Sequence, residues 1–172
     1  PDYLLHVGSR PAHKNVDRLI ESMGHRRLSD LHLLSVGGGE WTESETRLIS
    51  QHCPGRAHCI VRASDEQLAA AYSHAAAVVV PSVTEGFGLP LLEAMKHTVR
   101  IASSTGGSLP EVGGNVPVYF DPQDTEQMAI AIEKATQRNQ SPEIQKQAED
   151  QLKRFTWEKM AKEYGAIYQS LQ

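Results

Sequence analysis

The chain has little of what would make its class obvious. It has two cysteines, Cys53 and Cys59. That excludes a disulfide scaffold and fits a reducing, cytoplasmic setting. No apolar run approaches the ~18 residues of a membrane-spanning helix, and nothing resembles a signal peptide. The net charge is −4, so no global basic field argues for nucleic acid. A phosphate site, if there is one, must be local. What remains is ordinary globular material: 172 residues, 40% hydrophobic and 22% charged, enough for one domain with a sizeable core. No repeat, linker or low-complexity run divides it. A strand pattern begins at Tyr3, so a single domain (1–172) cut from a longer protein is the expectation.

One stretch organises the rest. Ala75 to Val80 is a short apolar run with β-branched residues, which reads as a buried parallel strand. Pro81 ends it. Pro90 fits the first turn of a helix, where its missing N–H does no harm. The loop between holds Glu85, Gly86, Phe87, Gly88 and Leu89. Glycines on both sides of Phe87 let the backbone approach a ligand closely. The helix start offers unpaired N–H groups that favour an anion. Glu85 stands beside that electropositive end, and Glu93 lies one turn inside the helix. Carboxylates accept hydrogen bonds from sugar hydroxyls, so two of them around a phosphate cradle suggest a ligand with both groups. A plain tight turn with dipole-stabilising acids fits the same spacing.

A second loop repeats the theme. Tyr3–Val7 reads as a strand in which His6 is a packed core residue. Gly8 to Asn15 is a loop with Arg10 and Lys14, followed by a helix with Val16, Leu19, Ile20 and Met23 on one face. Two cations beside a helix start make a diphosphate site; solvated surface charges are the alternative. Leu31–Val36 is the next strand, and Gly37-Gly38-Gly39 turns into a polar helix from about Thr42. The triplet lacks the spaced dinucleotide-binding pattern. His52, Cys53, His58 and Cys59 have zinc-binding chemistry but not the spacing, so no metal is expected. A third strand closes at Ile60-Val61-Arg62, and Ser64 caps the following helix. Later strands fall at Ile101–Ser103 and Val116–Phe120. Ser108 and Asp124 read as caps. The stretch from Ser141 to Gln172 reads as two helices, the second with Trp157, Met160, Tyr164, Ile167, Tyr168 and Leu171 on one apolar face. Strand–helix alternation predicts a Rossmann-like, three-layer α/β domain with a mostly parallel sheet of about six strands.

The run from Pro81 to Met95 resembles the signature of retaining glycosyltransferases of family 4, glycosyl transferase group 1, whose two glutamates stand as far apart as Glu85 and Glu93. The resemblance extends from Tyr3 to Trp157. It implies the C-terminal, donor-binding half of a GT-B fold, without the N-terminal acceptor domain. It implies transfer of a sugar from a nucleotide-diphosphate sugar to an acceptor hydroxyl with retention. By the same likeness, Arg10 and Lys14 hold the diphosphate beside Gly8. Gly38 borders the nucleotide, Arg62 and Ala63 the nucleobase. Glu85 meets the transferred sugar and Glu93 the ribose diol, with Gly106 and Gly107 lining the pocket. The Gly86-to-Pro90 wording and the Val7-to-Pro11 opening resemble bacterial mannosyl- or rhamnosyltransferases of surface-polysaccharide assembly, which makes GDP-mannose the first expected donor and a UDP-sugar the second. The implied location is cytoplasmic, with the longer enzyme peripheral at the inner membrane face. There is no Asp-x-Asp pair, so neither cofactor nor metal is expected. One departure stands out. Where similar chains have Gly and Pro after the motif helix, this one has Lys96 to Ile101 with neither, leaving the helix end and strand register open. Other readings remain: a binding module that transfers nothing alone, an epimerase of the same architecture, or a glycosidase using Glu85 and Glu93, which a helix N-terminus disfavours by lowering a carboxyl pKa.

Overall fold

A computed structural model of the chain describes residues 2–137 and 141–170. Six strands form one sheet: β1 (Tyr3–Val7), β2 (His32–Val36), β3 (Ala57–Ile60), β4 (Ala77–Val80), β5 (Ile101–Ser104) and β6 (Val118–Phe120). All neighbouring pairs are parallel, in the order β3-β2-β1-β4-β5-β6. The helices are α1 (Val16–Ser22), α2 (Glu43–His52), α3 (Asp65–His74), α4 (Leu89–Lys96), α5 (Leu109–Gly113), α6 (Thr125–Gln137), α7 (Pro142–Arg154) and α8 (Trp157–Ser170).

Strand periodicity sorts the core into two halves. Leu4, Leu33, Ala77, Val79 and Ala102 pack on one face with α1 and α6. Leu5, Val78, Val80 and Ile101 pack on the other with Tyr72, Leu91, Met95 and Val112. The result is the expected three-layer α/β sandwich. Strand order reverses between β1 and β4, and their carboxyl ends open a crevice where such sheets hold ligands.

Local signals place the helices. Thr42 and Glu45 form a reciprocal capping box at α2, as Ser64 and Gln67 do at α3. Asp124 Oδ1 accepts from the N–H groups of Glu126 and Gln127 at the start of α6. The strand expected to close at Arg62 ends two residues earlier, at Ile60, and the last strand starts at Val118 rather than Val116.

The missing glycine after α4 is replaced by strain. Thr98 adopts φ 53°, the left-handed region, and the Val99 N–H reaches back to Ala94 O at 3.0 Å. This is a Schellman-type closure built on a β-branched residue. It leaves the register intact, since Val78 still pairs with Ile101. A left-handed L-residue costs roughly 1–2 kcal/mol, partly offset in a glycine variant by greater unfolded-chain entropy. Thr98→Gly is therefore expected to raise stability by about 0.5–1 kcal/mol, read as a higher urea midpoint. A lower midpoint would show that the threonine's own contacts outweigh the strain.

Helix α8 leaves its apolar face largely uncovered. Trp157 is 72% exposed, and Met160, Tyr164, Ile167 and Tyr168 are exposed as well. Leu171, counted with them above, lies outside the described residues.

Candidate functional site

The loop after β4 rests on the loop after β5. Gly106 lies where a Cβ would sit 2.5 Å from the carbonyl oxygens of Ser82 and Val83. Gly107, at φ 61°, lies under the Glu85 backbone. The Ser104 hydroxyl donates to Ser82 O, and the Ser108 hydroxyl donates to Glu85 O and Phe87 O. Gly106 and Gly107 therefore support the backbone of this loop. Ser108, expected as a helix cap, makes no side-chain cap bond to α5, because its hydroxyl is used on this loop. On top, Gly88 takes φ 99° as the residue before α4. Phe87 stacks edge-on against Phe155, ring centroids 5.7 Å apart. Gly86 and Leu89 are exposed beside it.

The loop after β1 is tied to this one. Asn15, at φ 59°, donates through its amide to Pro81 O (2.9 Å) and Pro122 O (2.7 Å). The Val83 N–H reaches His13 O. With both backbones fixed, Lys14 Nζ meets both oxygens of Glu85 at 2.7 and 2.8 Å. Ser82 Oγ donates to the same carboxylate at 2.8 Å. The ion pair is partly open, with the side chains 22% and 12% exposed. Two of the expected site residues thus converge on the crevice between β1 and β4.

Arg10 reaches toward the neighbouring glycine turn. Its side chain is 3% exposed. Nε donates to Glu45 Oε1 at 2.8 Å, and the terminal nitrogens donate to the carbonyls of Gly37, Gly39 and Glu40. Its guanidinium also lies 4.5 Å above the Trp41 ring. In this arrangement the guanidinium clamps the glycine turn, with Glu45 and three backbone carbonyls as its partners. The physical reason is Glu45, whose other oxygen closes the capping box with Thr42. Burial pushes the Glu45 carboxyl up, but the hydrogen bonds from Arg10 and Thr42 outweigh it and hold the carboxyl below its usual range. Gly38 shows how tight the clamp is: a Cβ there would meet the Arg10 guanidinium at 2.9 Å and Gly8 O at 3.2 Å. Gly8 itself donates its N–H to Val36 O.

Glu93 sits partly buried on α4 and accepts a hydrogen bond from the Tyr72 hydroxyl. Arg62 is exposed and Ala63 half-buried just past β3, on the same edge of the sheet two strands over from β1. The residues suited to zinc are dispersed: Cys53 is in the core, Cys59 donates to Glu40, and His58 stacks on His32. Among the described residues no three histidines, cysteines or acids are grouped to hold a metal. No described helix is long and apolar enough to cross a membrane. Asn15, Ser82, Ser108 and Glu45 are the contributors that sequence reading missed. Two had a signal: Asn15 directly precedes a helix, and Thr42-x-x-Glu45 has the capping-box spacing.

Comparison with known proteins agrees with this architecture. Residues 1–152 match the family model described as glycosyl transferases group 1. O-antigen chain mannosyltransferase B of Escherichia coli is 33% identical over 168 residues, 91% of this chain and 42% of that protein. The MMP alpha-(1->4)-mannosyltransferase of Mycolicibacterium hassiacum is 28% identical over 166 residues, covering 91% and 40%. Among solved structures, sucrose-phosphate synthase from Thermosynechococcus elongatus superposes with a TM-score of 0.80 at 26% identity, over 99% of this chain and 45% of that one. The chain thus spans less than half the length of these relatives.

Proposed function

The chain belongs to the glycosyl transferases of group 1, and from that premise we propose that it is the donor-binding part of a retaining sugar transferase. The donor is a nucleotide-diphosphate sugar, GDP-mannose first among candidates, and the product a cell-surface polysaccharide. The names of the mannosyltransferase relatives support this choice. The carrying observation is the meeting of Lys14 and Glu85 across the β1–β4 crevice, beside the start of α4.

In this reading Lys14 exchanges Glu85 for the diphosphate when the donor arrives. The lysine and the amides at the head of α4 then neutralise charge growing on the departing diphosphate. Glu85, released, accepts hydrogen bonds from the transferred sugar's hydroxyls. Glu93 accepts from the ribose diol, and Arg62 and Ala63 border the base. Arg10 holds the glycine turn that forms the wall beside Gly8 and Gly38. No step requires a metal. The acceptor half lies in the remaining length that the relatives have, and the exposed face of α8 is assigned to contact with it. On this division of labour the chain alone binds donor and transfers nothing; sugar transfer by the chain alone would overturn that part.

A thermal-shift panel of nucleotide sugars tests the whole reading, because a ligand bound only to the folded state raises Tm. GDP-mannose should give the largest rise, and no rise with any nucleotide sugar would sink the proposal. Lys14→Ala should weaken GDP by about 1.5–3 kcal/mol, the range for charged hydrogen bonds, while guanosine changes little. Equal losses for both ligands would remove Lys14 from the diphosphate.

A further inference from the structure

Tyr72 belongs to α3, which the reading above leaves outside the site. It is a fully buried tyrosine whose hydroxyl nevertheless reaches the candidate ribose-binding acid. Its ring lies flat on His97, centroids 5.3 Å apart and planes within 2°. That stack and the packing against Leu91 and Met95 fix where the hydroxyl points. Glu93 has three side-chain torsions, and a loose carboxylate would lose freedom on binding. An ionised carboxylate has about four acceptor positions, so one taken by Tyr72 leaves room for two sugar hydroxyls. Burial, and then the Glu93 carboxylate itself, push the Tyr72 phenol well above its ordinary pKa, so it remains a donor.

We propose that Tyr72 is a positioning residue, locking Glu93 in the orientation that meets the ribose diol of the nucleotide. The proposal rests on the ribose assignment of Glu93. It makes α3 part of the nucleotide site and predicts a defect confined to ligands that carry ribose hydroxyls.

The test is calorimetric binding of GDP and of 2′,3′-dideoxy-GDP to the chain and its variants. The unaltered chain should favour GDP. Tyr72→Phe keeps the ring and its stack, and should weaken GDP about three- to tenfold while changing the dideoxy nucleotide less than about twofold. Equal weakening of both, or of neither, overturns the proposal, since a purely structural tyrosine would not distinguish the two. Glu93→Gln separates the two levels of the argument. If it leaves the preference for GDP intact, the ribose assignment falls and Tyr72's role with it. If it removes the preference while Tyr72→Phe retains it, only the role of Tyr72 falls. Should the phenylalanine variant not fold, Glu93→Asp must reproduce the selective loss, because the shorter acid keeps its charge but withdraws from the Tyr72 hydroxyl. An unchanged preference in that variant overturns the proposal equally.

Discussion

Gly107→Ala is expected to destabilise the fold by about 2–5 kcal/mol and to abolish measurable donor affinity. Two independent terms add. The backbone at φ 61° disfavours any L-residue by roughly 1–2 kcal/mol. The new methyl would also run into the Glu85 carbonyl oxygen and sit 2.8 Å from the Glu85 nitrogen. Both are backbone atoms with no soft rotamer to yield, so overpacking contributes about 1–3 kcal/mol more. The clash falls on the residue whose carboxylate meets Lys14, so stability and binding should fail together. Gly86→Ala is the contrast. Nothing lies within 4 Å of its Cβ and its φ is not positive, so stability should stay within about 0.5 kcal/mol of wild type. Its methyl would project from the exposed loop and weaken the donor alone. Urea melts and GDP titrations of the two variants check this, and a Gly107→Ala protein of normal stability would refute the support role given to that glycine.

The contrast also shows where sequence reading stopped. Glycines 86, 88, 106 and 107 all look alike as letters beside a phosphate loop. Their work differs because it depends on which backbone lies underneath, a long-range fact. Strands and helices were legible because they follow short-range rules: Leu4 and Leu5, or Val78 and Val79, alternate across the sheet. The convergence of Lys14 and Glu85 was legible too, since parallel strands place all carboxyl ends on one edge. The direction of Arg10 was not. A cation next to a glycine loop satisfies either a phosphate or a buried acid, and the deciding residue, Glu45, is 35 positions away. Thr98 is a different kind of failure. The absence of glycine suggested an altered helix end, but the chain keeps the geometry and accepts strain instead.

Acidification is expected to remove about 3 kcal/mol of stability between pH 6.5 and pH 4 through one residue, His6. This histidine is 3% exposed on β1, where Nδ1 shares a hydrogen bond with Ser35 Oγ at 3.0 Å. Burial lowers its pKa from 6.5 to about 4, assisted by the positive charges of Arg10 and Lys14 against the weaker pull of Glu45 and Glu85. The unfolded chain therefore holds a proton at His6 across a window in which the folded chain does not. In that window stability rises with pH and drops as pH is lowered. A difference of about 2.5 units, at about 1.4 kcal/mol each, gives the expected size. Below pH 4 both states carry the proton and this contribution stops changing. Glu45 and Asp124, whose pKa values are lowered from 4.5 and 3.8, begin to add their losses near those values, overlapping only the acid end of the His6 window and acting equally in a His6 variant. His32 is also lowered, by burial and then by His58, but it shares the slope equally between the protein and a His6 variant. His6→Gln keeps a polar group for Ser35 and has no proton to bind. Urea midpoints from pH 7 to pH 4 should therefore fall less steeply in His6→Gln than in the parent. Parallel curves would mean that His6 titrates normally in the folded state despite its burial on β1.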